Sequence, residues 1–297
     1  MGTATGIFAW LIGLALLLEL AGPSPGGASE RPVRLATWNL HNLFDEHDNP
    51  NINEPVYTHA AVEKHLDRLA GVIRRFHPDI LGVEEIENME LLQRLAAKVG
   101  GFRQCVLTEG NDHYRGINVG LLSRVPLQGF KTHKDMLLHA DGTGEVRHFS
   151  RDCLEVHVGG ALPMVLLVNH LKSKLSGGRV ADSKRRAQAE GVAAVVEELE
   201  EKTPGLPLAV LGDFNDDLHS WALEPVRTSP WLHDPFGSLT LDKRGSFRFR
   251  GHPICIDYIL LTDSLRGHLQ PKSPTVYRGK DVDKASDHCP ISIDLLP

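Results

Sequence analysis

Hydrophobic residues recur along this chain with two different periods, and each change of period marks an element. Arg34–Asn39 alternates and then ends in polar residues, as a strand arriving at a site does. In His59–Phe76, Val62, Leu66, Leu69, Ile73 and Phe76 recur at intervals of four and three, the spacing of one helical face. Pro78 stops that helix, and Asp79–Val83 follows as a buried strand. Asn88 can cap a helix through Val99, with Leu91, Leu92, Leu95 and Val99 turned inward. The pattern then shortens. Gln104–Leu107, Asn118–Leu122, Arg151–Val158 and Met164–Asn169 are strand candidates separated by Gly, Pro and Asp, so hairpins are expected. Asp182 or Ser183 is the expected cap of a helix through about Leu199, whose apolar face is Val192, Val195, Val196 and Leu199. Leu208–Leu211, Ile256–Leu261 and Pro290–Leu295 complete the strands. With no internal repeat and only the Gly22–Gly27 stretch resembling a linker, one α/β domain is expected over residues 29–297.

Five of the apolar runs end in polar clusters: Thr37-Trp38-Asn39, Val83-Glu84-Glu85, Val168-Asn169-His170, Gly212-Asp213-Phe214-Asn215 and Ser286-Asp287-His288. Asp and Asn are ordinary turn residues, so any one cluster is weak evidence. Together they amount to a set of acids, amides and histidines delivered by strands, which can grip a phosphate ester and a water. Asp257 is different, because it sits inside the strand pattern Ile256-Asp257-Tyr258-Ile259-Leu260. A buried acid is costly unless paired, so a partner is expected for it.

In this order the clusters resemble the endonuclease/exonuclease/phosphatase (deoxyribonuclease-like) superfamily over about residues 34 to 296. The most specific parts are Gly212-Asp213-Phe214-Asn215 and Ser286-Asp287-His288. Asn39–Asp45, Asn169–Lys174 and Lys184–Ala189 look most like a bacterial exported, nuclease-like branch. The resemblance implies a four-layer α/β sandwich of two mixed β-sheets with helices on the outer faces. It also implies a divalent-metal-dependent phosphodiesterase, most readily a nuclease, in which water attacks directly. Alternatives on the same fold are a sphingomyelinase-like phospholipid phosphodiesterase, a phosphomonoesterase, and a binding protein without catalysis.

On that resemblance Glu85 is the principal ligand of Mg²⁺, with Mn²⁺ or Ca²⁺ as alternatives, helped by Asn39 and Asp287. Glu84 competes with Glu85, since one of the pair has an ordinary structural place. Asp213 would hold or deprotonate the attacking water, and Asn215 would bind the scissile phosphate. His288 is the other candidate for activating water, or it stabilises the phosphate as imidazolium, oriented by Asp257. His170 is a second phosphate-facing histidine, and Arg115, Asn118 and Lys172 complete the substrate-binding set. Two positions depart from the pattern. His41 stands where relatives carry an acid, which argues against a second metal. Asn118 stands where an acid orients the first histidine, so only an amide oxygen is available for the His170 ring.

The 297 residues are 41% hydrophobic and 24% charged, as in a soluble globular protein, and the net charge of −6 argues against a generic nucleic-acid coat protein. An enzyme needs only local basic groups. Lys172, Lys174, Arg179, Lys184, Arg185 and Arg186 form one, read as facing phosphate, and Lys243, Arg244, Arg248 and Arg250 form another. Substrate choices are therefore nucleic acid first, with phospholipid or another phosphate ester as alternatives, and no obligate protein partner is evident. Ile7–Leu18 is an apolar run followed by a Gly/Pro/Ser segment, the pattern of an export signal over residues 1–28. At 1.5 Å per residue it covers about 18 Å, short of a bilayer core of about 30 Å. A periplasmic or extracellular protein is expected, with an uncleaved anchor as the alternative. Cys105, Cys153, Cys255 and Cys289 have no zinc spacing; a Cys255–Cys289 bridge and free buried thiols are both open.

Overall fold

A computed structural model describes residues 31–53, 55–139, 146–174 and 177–297; the expected export signal lies outside the described residues. The chain begins with β1 (Val33–Leu43), α1 (His59–Phe76), β2 (Ile80–Ile86) and α2 (Met89–Val99). A β-rich middle follows: β3 (Gln104–Thr108), β4 (Asn118–Ser123), β5 (Leu127–Lys131), the short pair β6 (Leu138–His139) and β7 (Val146–Arg147), β8 (Cys153–Val158) and β9 (Met164–His170). Then come α3 (Gly178–Lys202), β10 (Leu208–Asp213), the hairpin β11 (Phe247–Phe249) and β12 (His252–Ile254), β13 (Asp257–Leu261), β14 (Thr275–Val276) and β15 (Ile291–Leu295).

Two mixed sheets result, β14-β15-β1-β2-β4-β3 and β13-β10-β9-β8-β5, each with one central parallel pair, β1–β2 and β9–β10. Three apolar clusters separate four layers. Leu35, Ile80, Leu121, Leu166, Leu211 and Ile259 fill the space between the sheets. Trp38, Leu81, Val83, Leu66 and Leu92 pack α1 and α2 onto the first sheet, and Leu167, Val210, Val192 and Val196 pack α3 onto the second. The four-layer sandwich is thus the observed architecture.

Helix boundaries follow local chemistry. Thr58 caps α1 by accepting from Ala61 N, and Asn88 caps α2 by accepting from Leu91 N at 2.9 Å. The helix α3 starts at Gly178, before the expected cap, because the Asp182 carboxylate pairs with Arg185 instead of capping. β5 was not legible in the pattern, since Gly129 interrupts it and Leu127 alone is buried. All four cysteines are free. Cys255 packs on the α3 side and Cys289 on the α1 side, so the Cys255–Cys289 bridge does not form.

Two stability predictions arise here. Gly212 has φ +130°, and a Cβ there would lie 1.9 Å from the Asn169 carbonyl oxygen on the paired strand. Gly212→Ala should therefore cost about 3 kcal/mol or more, read as a lower urea midpoint; an unchanged midpoint would refute the argument. Glu155 on β8 accepts from His133 Nε2 at 2.7 Å and His157 Nε2 at 2.6 Å. Burial pushes its carboxyl up, but the two imidazole bonds outweigh that and hold it at about 2. A depressed folded value gives stability that is present above about pH 4.5 and lost as pH falls towards 2, on the order of 1–3 kcal/mol. Glu155→Gln should flatten this acid limb in urea titrations at successive pH values; equal slopes in both proteins would count against it.

Candidate active site

Alternation carries the inner faces of the strands from apolar to polar at one end of the sandwich. On β1 the inward row runs Leu35, Thr37, Asn39; on β10 it runs Ala209, Leu211, Asp213; on β9 it runs Leu166, Val168, His170. Asp213 pairs with Asp257 across β10–β13 and with His170 across β10–β9. Register alone thus places three of the expected residues side by side, all buried.

Glu85 reaches the same place by a bulge. Simple alternation would turn Glu84 inward and Glu85 towards the helices. Instead the β1–β2 and β2–β4 registers slip here, and Glu85 takes φ +59°. His41, Asn42 and Asn215 are also left-handed, at φ 57°, 54° and 56°, so backbone strain concentrates around the cleft. Glu84 is fully buried and accepts from the Thr37 hydroxyl at 2.6 Å. Burial raises its carboxyl well above the usual range, which makes it a neutral acid inside the sandwich.

The polar groups interlock. Asn39 Nδ2 donates to Asp213 Oδ2 at 3.0 Å, and its Oδ1 accepts from His41 N at 2.9 Å. Asp213 Oδ1 accepts from Asn215 N at 2.8 Å. His170 Nε2 lies 3.6 Å from Asp213 Oδ2 and 3.8 Å from Glu85 Oε1, while His288 Nε2 lies 3.8 Å from Asp213 Oδ2. His288 Nδ1 is 2.9 Å from Asp257 Oδ2; because a carboxylate only accepts, the proton sits on Nδ1. Asp257 has therefore found the partner that its burial demanded. Phe247 covers the other face of His288, with ring centroids 4.9 Å apart.

Outer contacts hold these groups in place. Trp38 Nε1 donates to the His288 carbonyl at 2.9 Å, and the Ser286 hydroxyl donates to the Asn39 carbonyl at 2.7 Å. Glu85 Oε2 accepts from Asn42 N at 3.0 Å. Arg115 donates to Asn42 Oδ1, and its Nη1 lies 3.8 Å from Glu85 Oε1. Asp287 is half exposed, its carboxylate 3.8 Å from His41 Nδ1.

Environment divides the two histidines. Burial lowers His170, and the nearby Arg151 and Arg115 charges lower it further, so its ring is neutral. Burial also lowers His288, but the Asp257 and Asp213 charges outweigh it and the net shift is upward. Asp213 is raised, by burial first, against the opposing His288 charge.

Some expected residues do other work. Asn118 Oδ1 accepts from Gly110 N at 2.9 Å and its Nδ2 donates to the Glu87 carbonyl, so the amide braces loops and makes no bond to His170. His170 Nδ1 is buried without a hydrogen-bond partner among the described residues. Of the first basic group, Lys174 and Arg185 both pair with Asp216 at 2.7 Å, and Arg186 pairs with Glu190 and Glu224. Those three are therefore committed to carboxylates, and Lys172 is half-buried on the His170 side of the cleft. Arg151, at the head of β8, was missed as a site residue. Its Nη2 pairs with Asp112 Oδ2 at 3.0 Å, its Nε and Nη1 have no hydrogen-bond partner among the described residues, and it is almost fully buried. The available signal was an Arg-Asp pair placed just ahead of a strand.

The chain belongs to the endonuclease/exonuclease/phosphatase family, whose sequence profile matches residues 34–278. No curated protein matches it in sequence. Among solved structures, the human Nocturnin catalytic domain with bound sulfate is 18% identical with TM-score 0.62, covering 90% of this chain and 95% of that chain. TDP2 from Caenorhabditis elegans is 17% identical with TM-score 0.60, covering 90% of this chain and 74% of that chain. An endonuclease/exonuclease/phosphatase from Bacteroides vulgatus is 20% identical with TM-score 0.61, covering 89% and 98%. At these identities the likeness is one of fold. No helix among the described residues is long and apolar enough to cross a membrane.

Proposed function

We propose that the protein is a divalent-cation-dependent phosphodiesterase that hydrolyses nucleic-acid phosphodiester bonds by direct attack of water. One observation carries this reading: His170 Nε2 stands within 3.8 Å of both Glu85 and Asp213, while Asp213 also touches Asn39 and faces the His288–Asp257 pair.

The donor set suits a hard cation. Among the described residues Glu85 Oε1 makes no short hydrogen bond, Asp287 is open to solvent, and Asn39 has a carbonyl oxygen that accepts from His41 N and keeps a second lone pair, all oxygen donors of the kind Mg²⁺ accepts. Asp213, Asp257 and His288 also have ligand atoms within 4.8 Å of one another. That trio is less suited, because the His288–Asp257 hydrogen bond already uses two of its members. A cation held by Glu85, Asn39 and Asp287 would neutralise phosphate charge. Asp213 orients and deprotonates the water, Asn215 and His170 hold phosphate oxygens, and His288 stabilises the phosphate as imidazolium. Arg115 adds a guanidinium beside Glu85, and Lys172 a partly buried ammonium.

The sulfate named with the human Nocturnin domain is an anion of phosphate's shape on the same fold. A lipid substrate is less favoured, since the exposed Trp221 lies under the Arg186 guanidinium at 4.8 Å instead of forming an apolar tip. Export on residues 1–28 belongs to the same reading. The test is hydrolysis of plasmid DNA and bis-p-nitrophenyl phosphate by the purified protein with Mg²⁺ or Mn²⁺, with and without EDTA. Turnover that EDTA leaves untouched, or no turnover with any divalent cation, would sink the proposal.

A further inference from the structure

Beyond Asp287 the cleft runs into a groove of about 410 Å³, a size suited to a small ligand. It lies between the bulge at His41 and Asn42, the first turns of α1, and the one-turn helix Val282–Ala285. Its walls are of two kinds. Phe44 and Val62 are buried and give an apolar floor, and Tyr57 stands partly exposed at the lip. Ala61, His65 and Arg68 form one ridge of α1, at i, i+4 and i+7, so the groove follows the helix for about 10 Å. Contacts fix its polarity: His41 lies beside Asp287, His65 bonds the Ala285 carbonyl at 2.9 Å, and Arg68 bonds the Lys284 carbonyl at 3.3 Å. The catalytic end therefore carries Asp287 and Asn42, and the far end carries Arg68 and Lys284 with Asp283 beside them.

We propose that this groove receives the nucleoside joined to the scissile phosphate, with the base against the exposed Tyr57 ring and the next phosphate on Arg68 and Lys284. The inference rests on the nuclease reading and deepens it by assigning where the base and the next phosphate lie. An exposed tyrosine ring at the lip of an apolar groove accepts a heteroaromatic ring, and stacking of this kind tolerates any base. Asp283, the groove's other acid besides Asp287, is an acceptor for a base amino group.

The test fills the groove. Ala61→Trp places an indole where the base would lie, on an exposed position that the helix does not need. Two substrates are compared under identical salt: a short single-stranded DNA oligonucleotide and methyl p-nitrophenyl phosphate, which has no base. The ratio of kcat/KM for oligonucleotide to that for the small diester should fall about tenfold. Arg68→Ala/Lys284→Ala should flatten the salt dependence of oligonucleotide binding, measured by fluorescence anisotropy in EDTA and so without catalysis. An unchanged ratio, or an unchanged salt slope, overturns the groove assignment. So does loss of sphingomyelin-vesicle binding in Ala61→Trp with oligonucleotide binding intact. Failure of the wild-type protein to hydrolyse either substrate would strike the phosphodiesterase reading, and the anisotropy measurement would still decide the groove.

Discussion

Asp213→Asn should lower kcat/KM on bis-p-nitrophenyl phosphate by about 10³-fold or more, while the melting temperature holds or rises. The two halves of this expectation have one cause. Asp213 is fully buried, and burial works against its charge. Holding an ionisable acid there costs folding energy, which is tolerable if the charge serves water activation. Asparagine keeps the size and one accepting oxygen, so Asn215 N retains a partner, but it cannot take a proton from water. Its amide would also face the Asn39 Nδ2 that now donates to Asp213 Oδ2, so a flip of Asn39 is expected. Removing a buried charge and an active centre together is the pattern of a stability–activity trade-off. Loss of activity with a large fall in melting temperature would instead assign Asp213 to the scaffold. Activity within about tenfold of wild type would remove it from the mechanism altogether.

What the sequence showed and what it hid divide along physical lines. The longer core strands apart from β5, together with α1 and α2, were legible because a buried face must repeat with the period of its element, and Thr58 and Asn88 cap where short polar side chains should. The inward row of Asn39, His170 and Asp213 was legible for the same reason, as the continuation of an apolar face. Glu85 was harder. Alternation alone favours Glu84, and only the bulge, which depends on the pairing of β2 with both neighbours, brings Glu85 round. Long-range charge pairing was not legible at all. Lys174, Arg185 and Arg186 read as a basic run because Asp216 and Glu224 reach them through the fold. Arg151 was hidden likewise, since its partner Asp112 and its neighbour His170 are brought to it by separate strands and loops. The early end of the α3 pattern failed locally, where one acid had to choose between capping and pairing with Arg185.

The coupling of His288 to Asp257 leads to the second large effect. His288→Ala should reduce kcat/KM by about 10²–10⁴-fold, and Asp257→Asn by about 10²-fold or more. An amide at position 257 accepts with one oxygen only and stabilises no imidazolium, so the ring can turn and its charged form is lost. Because Asp257 acts through the ring that it orients, the two losses must not add. In an His288→Ala background, Asp257→Asn should cost less than about threefold, a coupling of at least about 2 kcal/mol against its single effect. Structural repair is separable by stability: without its histidine, the Asp257 carboxylate is buried at 5% exposure with no imidazole partner, so the single His288→Ala should melt lower than the double variant. The measurements are kcat/KM and melting temperature for the four proteins of the cycle. Additive losses in rate would mean that Asp257 serves the site by a route other than His288, and a double variant less stable than His288→Ala would show that the carboxylate has another partner.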